Sequence, residues 1–193
     1  LTGANALAQD IYLGDASGLS DNKAKITTVA DMELTGVLSG AADAILLKNG
    51  DGTLTLSSAN TYSGGTEVQA GFLVGNVDGV FGTGGMSVSD GAKLTLQGGS
   101  SNNNLDDLAL LVLGSSAELA MDFTGVADTV GGISLDGGLT FLSGGTYNAA
   151  ALDALGNGTY SGTGSLTVIP EPATLGLITF CFGGLWAMRR LMM

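Results

Sequence analysis

The chain has 193 residues, of which 45% are hydrophobic, only 12% are charged and 33 are Gly. That is enough for one domain with an appendage, apolar enough to bury a core. There is no His and one Cys, which excludes Ser-His-Asp and Cys-His catalytic arrangements, Cys/His zinc sites and an intramolecular disulfide. Residues 1–169 carry four Lys, no Arg and 17 acidic residues, net −13, while residues 170–193 carry net +1, giving −12 overall. An acidic body without a basic patch repels phosphate backbones, so nucleic acid is excluded as a partner.

In chain order, Ala6-Leu7-Ala8 before Gln9 reads in two ways. It is either the end of a signal peptide, with the apolar region upstream of Leu1, or a first strand. Residues 1–9 are set apart on that account. From residue 10 to 169, Gly, Asn, Asp, Ser and Thr recur every few residues, and between them lie short runs of alternating polarity. These are Thr53–Ser57, Met86–Ser89, Lys93–Gln97, Ile133–Asp136 and Ser165–Val168. Each places apolar side chains on one face and hydroxyls on the other, the pattern of half-buried strands. Asn104–Leu113 has a helix-like start, but its Leu110-Leu111-Val112-Leu113 favours a buried strand. Asn148–Leu155 is Ala-rich and suits one or two helical turns. The acidic residues stand singly, many beside Gly (Asp51, Asp78, Asp90, Asp136), which is tight-turn chemistry. Calcium is the alternative, but no EF-hand loop or nonapeptide array supplies ligand spacing. No cofactor, metal ligand or catalytic residue is assigned.

Many short strands suit a solenoid or a β-sandwich. The pairs Leu54/Leu56, Phe72/Val74 and Leu94/Leu96 recur about every 18–20 residues, close to one solenoid coil. At ~20 residues per coil the body makes roughly eight coils. The expected fold is therefore all-β, a parallel β-helix, with the sandwich as alternative.

Residues 47–73 read LKNGDGTLTLSSANTYSGGTEVQAGFL. Through Gly50, Gly52, Thr53, Leu54, Leu56, Asn60, Thr61, Tyr62, Ser63, Gly64, Gly65, Thr66, Gly71 and Leu73, this segment resembles the autotransporter-associated β-strand repeat of long secreted β-helical proteins. Phe81-Gly82-Thr83-Gly84 and Ala92–Leu96 extend the likeness, so it spans 47–96. The resemblance implies a right-handed β-helical, passenger-like body. Ser143–Tyr147 and Gly158–Gly162 are faint echoes of it.

Residues 173–188, ATLGLITFCFGGLWAM, hold 16 residues without a charge, followed by Arg189 and Arg190. An apolar run closed by basic residues predicts a membrane helix with the arginines on the cytoplasmic side. As a helix it spans about 24 Å against a ~30 Å hydrocarbon core, a gap that thinning or snorkelling closes. The alternative is a buried core helix. Gly183-Gly184 would weaken the helix or admit a close neighbour, and Cys181 reads as a small apolar side chain. Pro170-Glu171-Pro172, the apolar run and the Arg pair together resemble the PEP-CTERM sorting signal, here spanning 170–193. That resemblance implies export in a Gram-negative bacterium, transient anchoring in the inner membrane through 173–188, and cutting near Pro170-Glu171-Pro172 by an exosortase. Glu171 is then a recognition residue for another enzyme.

Three functions fit. The first is a structural or adhesive surface or extracellular-matrix protein meeting polysaccharide through hydroxyl-rich faces; Asn102–Asn104, Tyr62, Tyr147 and Tyr160 are candidate sugar contacts, with turns and core as the favoured reading for each. The second is a polysaccharide-degrading enzyme, for which the only adjacent acidic pair is Asp106-Asp107. The third is a sandwich lectin with its tail packed inside. The first is the expected one.

Overall fold

In a computed structural model of the chain, the described residues are 5–13 and 23–170. The strands, numbered in chain order, wind as a solenoid with three faces. The first face stacks seven strands: β1 (Asn5–Leu7), β4 (Met32–Leu34), β7 (Thr53–Leu56), β9 (Phe72–Gly75), β11 (Lys93–Leu96), β13 (Glu118–Met121) and β17 (Thr159–Gly162). Another stacks β3 (Lys23–Thr27), β6 (Ile45–Asn49), β8 (Gly65–Val68), β10 (Met86–Val88), β12 (Leu110–Leu113) and β15 (Gly132–Ser134). The third is regular only at its ends, where β2 (Ile11–Leu13) pairs with β5 (Leu38–Gly40), and β14 (Asp128–Val130) with β18 (Ser165–Val168). Every one of these pairings is parallel. The sandwich alternative is thereby overturned, since sandwiches are antiparallel.

Inward residues form ladders, because the period of two sends alternate side chains to one face and parallel register stacks like on like. One ladder runs Met32, Leu54, Leu73, Leu94, Leu119, Tyr160. Its members from Leu54 to Leu119 are fully buried. A parallel ladder runs Leu34, Leu56, Gly75, Leu96, Met121. A Cβ at Gly75 would collide with the Phe81 ring and Val80, so this glycine makes room for a buried aromatic from the next corner. Each fully buried Leu contributes ~1.5–3 kcal/mol, and each ladder member is covered by the coils above and below.

The coil length is not constant. On the first face Asn5 pairs with Met32, Met32 with Leu54, Thr53 with Phe72, Phe72 with Lys93, Lys93 with Glu118 and Glu118 with Thr159. Successive coils thus take 27, 22, 19, 21, 25 and 41 residues. The ~20-residue spacing holds only in the middle, and the seven strands of the longest sheet are joined by six such coils among the described residues, rather than the roughly eight expected from uniform spacing. The longer corners take up the difference.

The 41-residue excursion closes the C-terminal end. After β15 the chain turns back so that the Leu142 N–H donates to Ile133 O at 2.8 Å. It then forms β16 (Gly145–Asn148), which pairs antiparallel with β18, and α1 (Ala149–Asp153). Asn148 caps that helix, its side chain accepting from Ala151 N at 2.9 Å, as the Ala-rich segment predicts. Leu152 is fully buried beneath it. These elements cover open strand edges that would otherwise pair with other chains. At the other end, Asn5–Leu7 is paired into the solenoid, the strand reading of that segment. Leu110–Leu113 is likewise a strand. Among the described residues, no helix is long and apolar enough to cross a membrane.

Candidate functional site

The solenoid offers corners, outer sheet faces and grooves. The corners explain the repeat-like segment residue by residue. Gly50 and Gly71 both adopt positive φ, +80° and +69°, and a Cβ on Gly71 would lie against the Gly50 carbonyl of the coil below. Stacking two turns at that spacing therefore requires glycine. Buried Asn60 ties three coils together: its Oδ1 accepts from Leu38 N at 2.7 Å and its Nδ2 donates to Val80 O at 2.5 Å. The Tyr62 hydroxyl bonds the Thr66 hydroxyl at 2.6 Å inside the core, and burial raises its pKa.

Lys48 is the residue that the alternating pattern hides. It occupies an inward position on β6, in register with Val68, and is completely buried. Its Nζ donates to the carbonyls of Asn49, Gly50 and Ala70 at 3.2, 2.7 and 2.9 Å. Desolvation lowers its pKa, and nearby Asp51 opposes that shift. Three donors meeting three acceptors make a buried ammonium tolerable. It serves as a corner clamp between two coils.

The single acidic residues have the same kind of task. Asp10 accepts from Val37 N at 2.8 Å, Asp31 from Thr53 N at 3.1 Å, and Asp90 from Ser116 N at 2.9 Å. Asp78 accepts from the Ser100 hydroxyl and from the Ser101 and Asn103 N–H groups. Each of these donors belongs to the next coil. The bonds from Thr53 and Ser100 hold the Asp31 and Asp78 carboxyls below their ordinary value. Asp136 closes its own turn through Thr140, Ser134 and Leu139, which lowers it to about 2. The turn reading of these residues holds. Among the described residues no three acidic or thiol groups gather as a cation site would require.

Three of the six candidate sugar contacts are interior, the core reading that the sequence favours. Tyr62 and Asn104 are fully buried and Tyr160 is 5% exposed, so these three contacts are overturned by packing. Asn104 holds the loop through bonds to Gly98 N and Val77 O, and Asn102 donates to Thr124 O and Val126 O. Tyr147 is partly buried, its hydroxyl on Ser143 O. Asp106 and Asp107 lie in a turn rather than a strand, with Asp106 accepting from Leu108 N.

The buried carboxylate is Asp128, at the start of β14. Its Oδ2 accepts from Asn104 N and Leu105 N at 3.1 and 3.2 Å, while its Oδ1 is buried without a partner. Burial pushes its pKa up to about 7, with the Asp107 charge acting in the same direction. The outer sheet faces carry hydroxyls (Thr53, Thr55, Thr159, Ser161) and two ion pairs, Lys23–Glu67 at 2.8 Å and Lys93–Glu118 at 3.7 Å.

A groove of about 560 Å³ opens at the C-terminal end, walled by Leu110, Phe141, Leu142 and Ile169 and floored by Gly131 and Gly132. Pro170 also lines it and packs where a Cβ on Gly144 would be. Of the five predicted sorting residues only Pro170 is described; Glu171, Pro172, Arg189, Arg190 and the apolar run 173–188 lie outside the described residues.

Residues 46–74 match the family described as Passenger-associated-transport-repeat. These residues run from β6 to β9, a little more than one coil of the solenoid. No solved structure matches the chain. Over 144 residues, 72% of the chain, it is 37% identical to the Adhesin BmaC autotransporter of Brucella suis biovar 1 (strain 1330). The chain spans about 4% of that relative's length, so the similarity is that of one stretch of solenoid to a much longer adhesin.

Proposed function

We propose that this chain is an exported, non-catalytic adhesive or structural module of the cell surface or extracellular matrix. The observation that carries the reading is the passenger-type repeat folded as a full coil within a parallel solenoid. Its similarity to a stretch of an autotransporter adhesin supports the surface and adhesive parts. Absence of catalysis agrees with the chemistry of several described carboxylates: Asp10, Asp31, Asp78, Asp90 and Asp128 accept backbone N–H groups of the neighbouring coil, a fastening role rather than an acid–base one. The outward positions of the first face mix Thr53, Thr55, Thr159 and Ser161 with Phe72, Val74, Lys93 and Glu118, a polar and apolar surface that suits polysaccharide or neighbouring chains as partners.

Residues 170–193 act as a PEP-CTERM-type sorting segment: Pro170, Glu171 and Pro172 the recognition motif, 173–188 a transient inner-membrane anchor, Arg189 and Arg190 the cytoplasmic stop. This part of the reading rests on the order of those residues in the sequence. An exosortase would process it. The test is the intact mass of the protein recovered from native cells, with its fraction of origin. Loss of the residues after about Pro170, in the envelope or medium, is the expected result; full-length protein in the soluble cytoplasm would refute export and processing together. Incubation with neutral and acidic glycans tests the rest, because turnover of any glycan would overturn the non-catalytic reading.

A further inference from the structure

The sheet that stacks β3, β6, β8, β10, β12 and β15 has an outer surface unlike the rest of the body. One outward row crosses all six strands: Lys23, Ile45, Gly65, Gly85, Leu110 and Gly132, with Gly85 joining as the residue before β10. At ~4.8 Å per strand, Ile45 and Leu110 stand about 14 Å apart as ridges, and the two glycines between them bring no side chain. The result is a trough of about 240 Å³ between Ile45 and Leu110, with Glu67 at its side. Leu110 is 47% exposed on the rim. Charge sets this surface apart as well. Lys23, Lys25 and Glu67 are the charged residues at outward positions of its strands, net +1, whereas residues 1–169 carry net −13. Glu67 is moreover paired with Lys23 at 2.8 Å.

From the order of ridges and glycines along this row we infer that the face docks on the same face of a second copy of the chain. A symmetric pair needs a patch that is complementary to itself, and this row meets that demand. A two-fold axis parallel to the strands and passing β10 reverses the strand order of one copy over the other. Leu110 of each copy then stands over Gly65 of the other, Ile45 over Gly132, and Gly85 over Gly85, so every ridge meets a glycine. The same operation carries Lys25, at the β3 end of one copy, to the β15 end of the other, where Asp136 closes its turn. Opposite charges thus meet at both ends, and elsewhere the net charge of −13 opposes approach. Six strands at ~4.8 Å by four residues at ~3.3 Å give a patch of about 380 Å² on each copy, half of the ~800 Å² of a standard interface, so the pairing belongs to the weak, transient class. It goes beyond the adhesive role by naming a partner, and it depends on neither export nor processing.

The test uses the purified full chain with Cys181→Ser, carrying Ser87→Cys on β10 beside the axis, and a short bismaleimide that joins two thiols. The control carries Thr159→Cys instead, exposed on the first face. Expected is covalent dimer forming at least tenfold faster from the Ser87→Cys chain. Two further changes, each checked for intact fold by circular dichroism, should bring that rate down to the control's. Leu110→Asp puts a charge on the ridge. Gly85→Leu fills the trough, at a position where an added Cβ comes no nearer than 3.3 Å to another atom. Association driven by any other part of the chain would cross-link the two sites alike. Equal rates for Ser87→Cys and Thr159→Cys, or a Ser87→Cys rate unchanged by Leu110→Asp or by Gly85→Leu in a folded protein, would overturn the proposal and leave the export and glycan tests untouched.

Discussion

Asp128→Asn is the substitution whose effect can be worked furthest. Asp128 is 1% exposed, accepts two backbone N–H groups through Oδ2 and leaves Oδ1 buried without a partner. Its carboxyl is pushed to about 7 from an ordinary 3.8, chiefly by burial. Between those two values the folded chain holds a proton that the unfolded chain has released. Stability therefore falls as pH rises from about 4 to about 7, and above 7 the whole penalty is present. Three tenfold steps at 1.36 kcal/mol each set an upper value of ~4 kcal/mol. Asn keeps an acceptor for Asn104 N and Leu105 N and removes the charge, but leaves a buried N–H₂ at a cost of ~1–3 kcal/mol. The net gain at pH 8 is then small, whereas the slope between pH 5 and 8 disappears. Urea unfolding at pH 5, 6, 7 and 8, followed by circular dichroism, checks this. A wild-type midpoint that does not drop from pH 5 to pH 8, or an Asn variant that keeps the wild-type slope, would refute the account of a buried, protonatable carboxyl.

Four further substitutions test the coil-stacking argument. Leu94→Ala empties the centre of a ladder between Leu73 and Leu119 and should lower stability by ~2–5 kcal/mol in the same urea titration. Gly71→Ala and Gly91→Ala both force an L-residue into positive φ, +69° and +74°. Only the first drives a Cβ into backbone, while the second meets open space, so Gly91→Ala should cost ~1–2 kcal/mol and Gly71→Ala clearly more in thermal melts. Asn60→Ala strands the Leu38 N–H and Val80 carbonyl in the core; a loss of ~2–4 kcal/mol is expected, with accelerated hydrogen exchange at Leu38 as its signature. Below pH 4 the wild type should destabilise again. Asp31, Asp78 and Asp136 have depressed folded pKa values, and their contribution is lost as pH falls through them.

Much of the solenoid could be read in the chain because its rules are local. Alternation over Thr53–Leu56 and Lys93–Leu96 dictates half-buried strands, and Asp-Gly pairs dictate turns, whatever lies far away. A recurrence near 20 residues suggests coils, and the repeat-like segment falls on one of them. The helix at Asn148 was legible for the same reason, since a cap and an Ala run need no distant partner.

Tertiary structure decided whatever depends on the coil above or below. Lys48 looks like a solvent-facing strand residue until register turns it inward among three carbonyls. Tyr62 and Asn104 leave sugar contact open beside the favoured core or turn reading until stacking buries them. Asp78 and Asp90 read as turn formers, yet they bond residues 22 to 26 positions away, a distance that no local pattern encodes. Corner length also escaped the periodicity: β13 and β17 pair across 41 residues because parallel stacking fixes only the strands and leaves the loop between them free to grow. The groove exists only because that longest loop folds back over β15 and sets Phe141 beside Leu110 and Ile169.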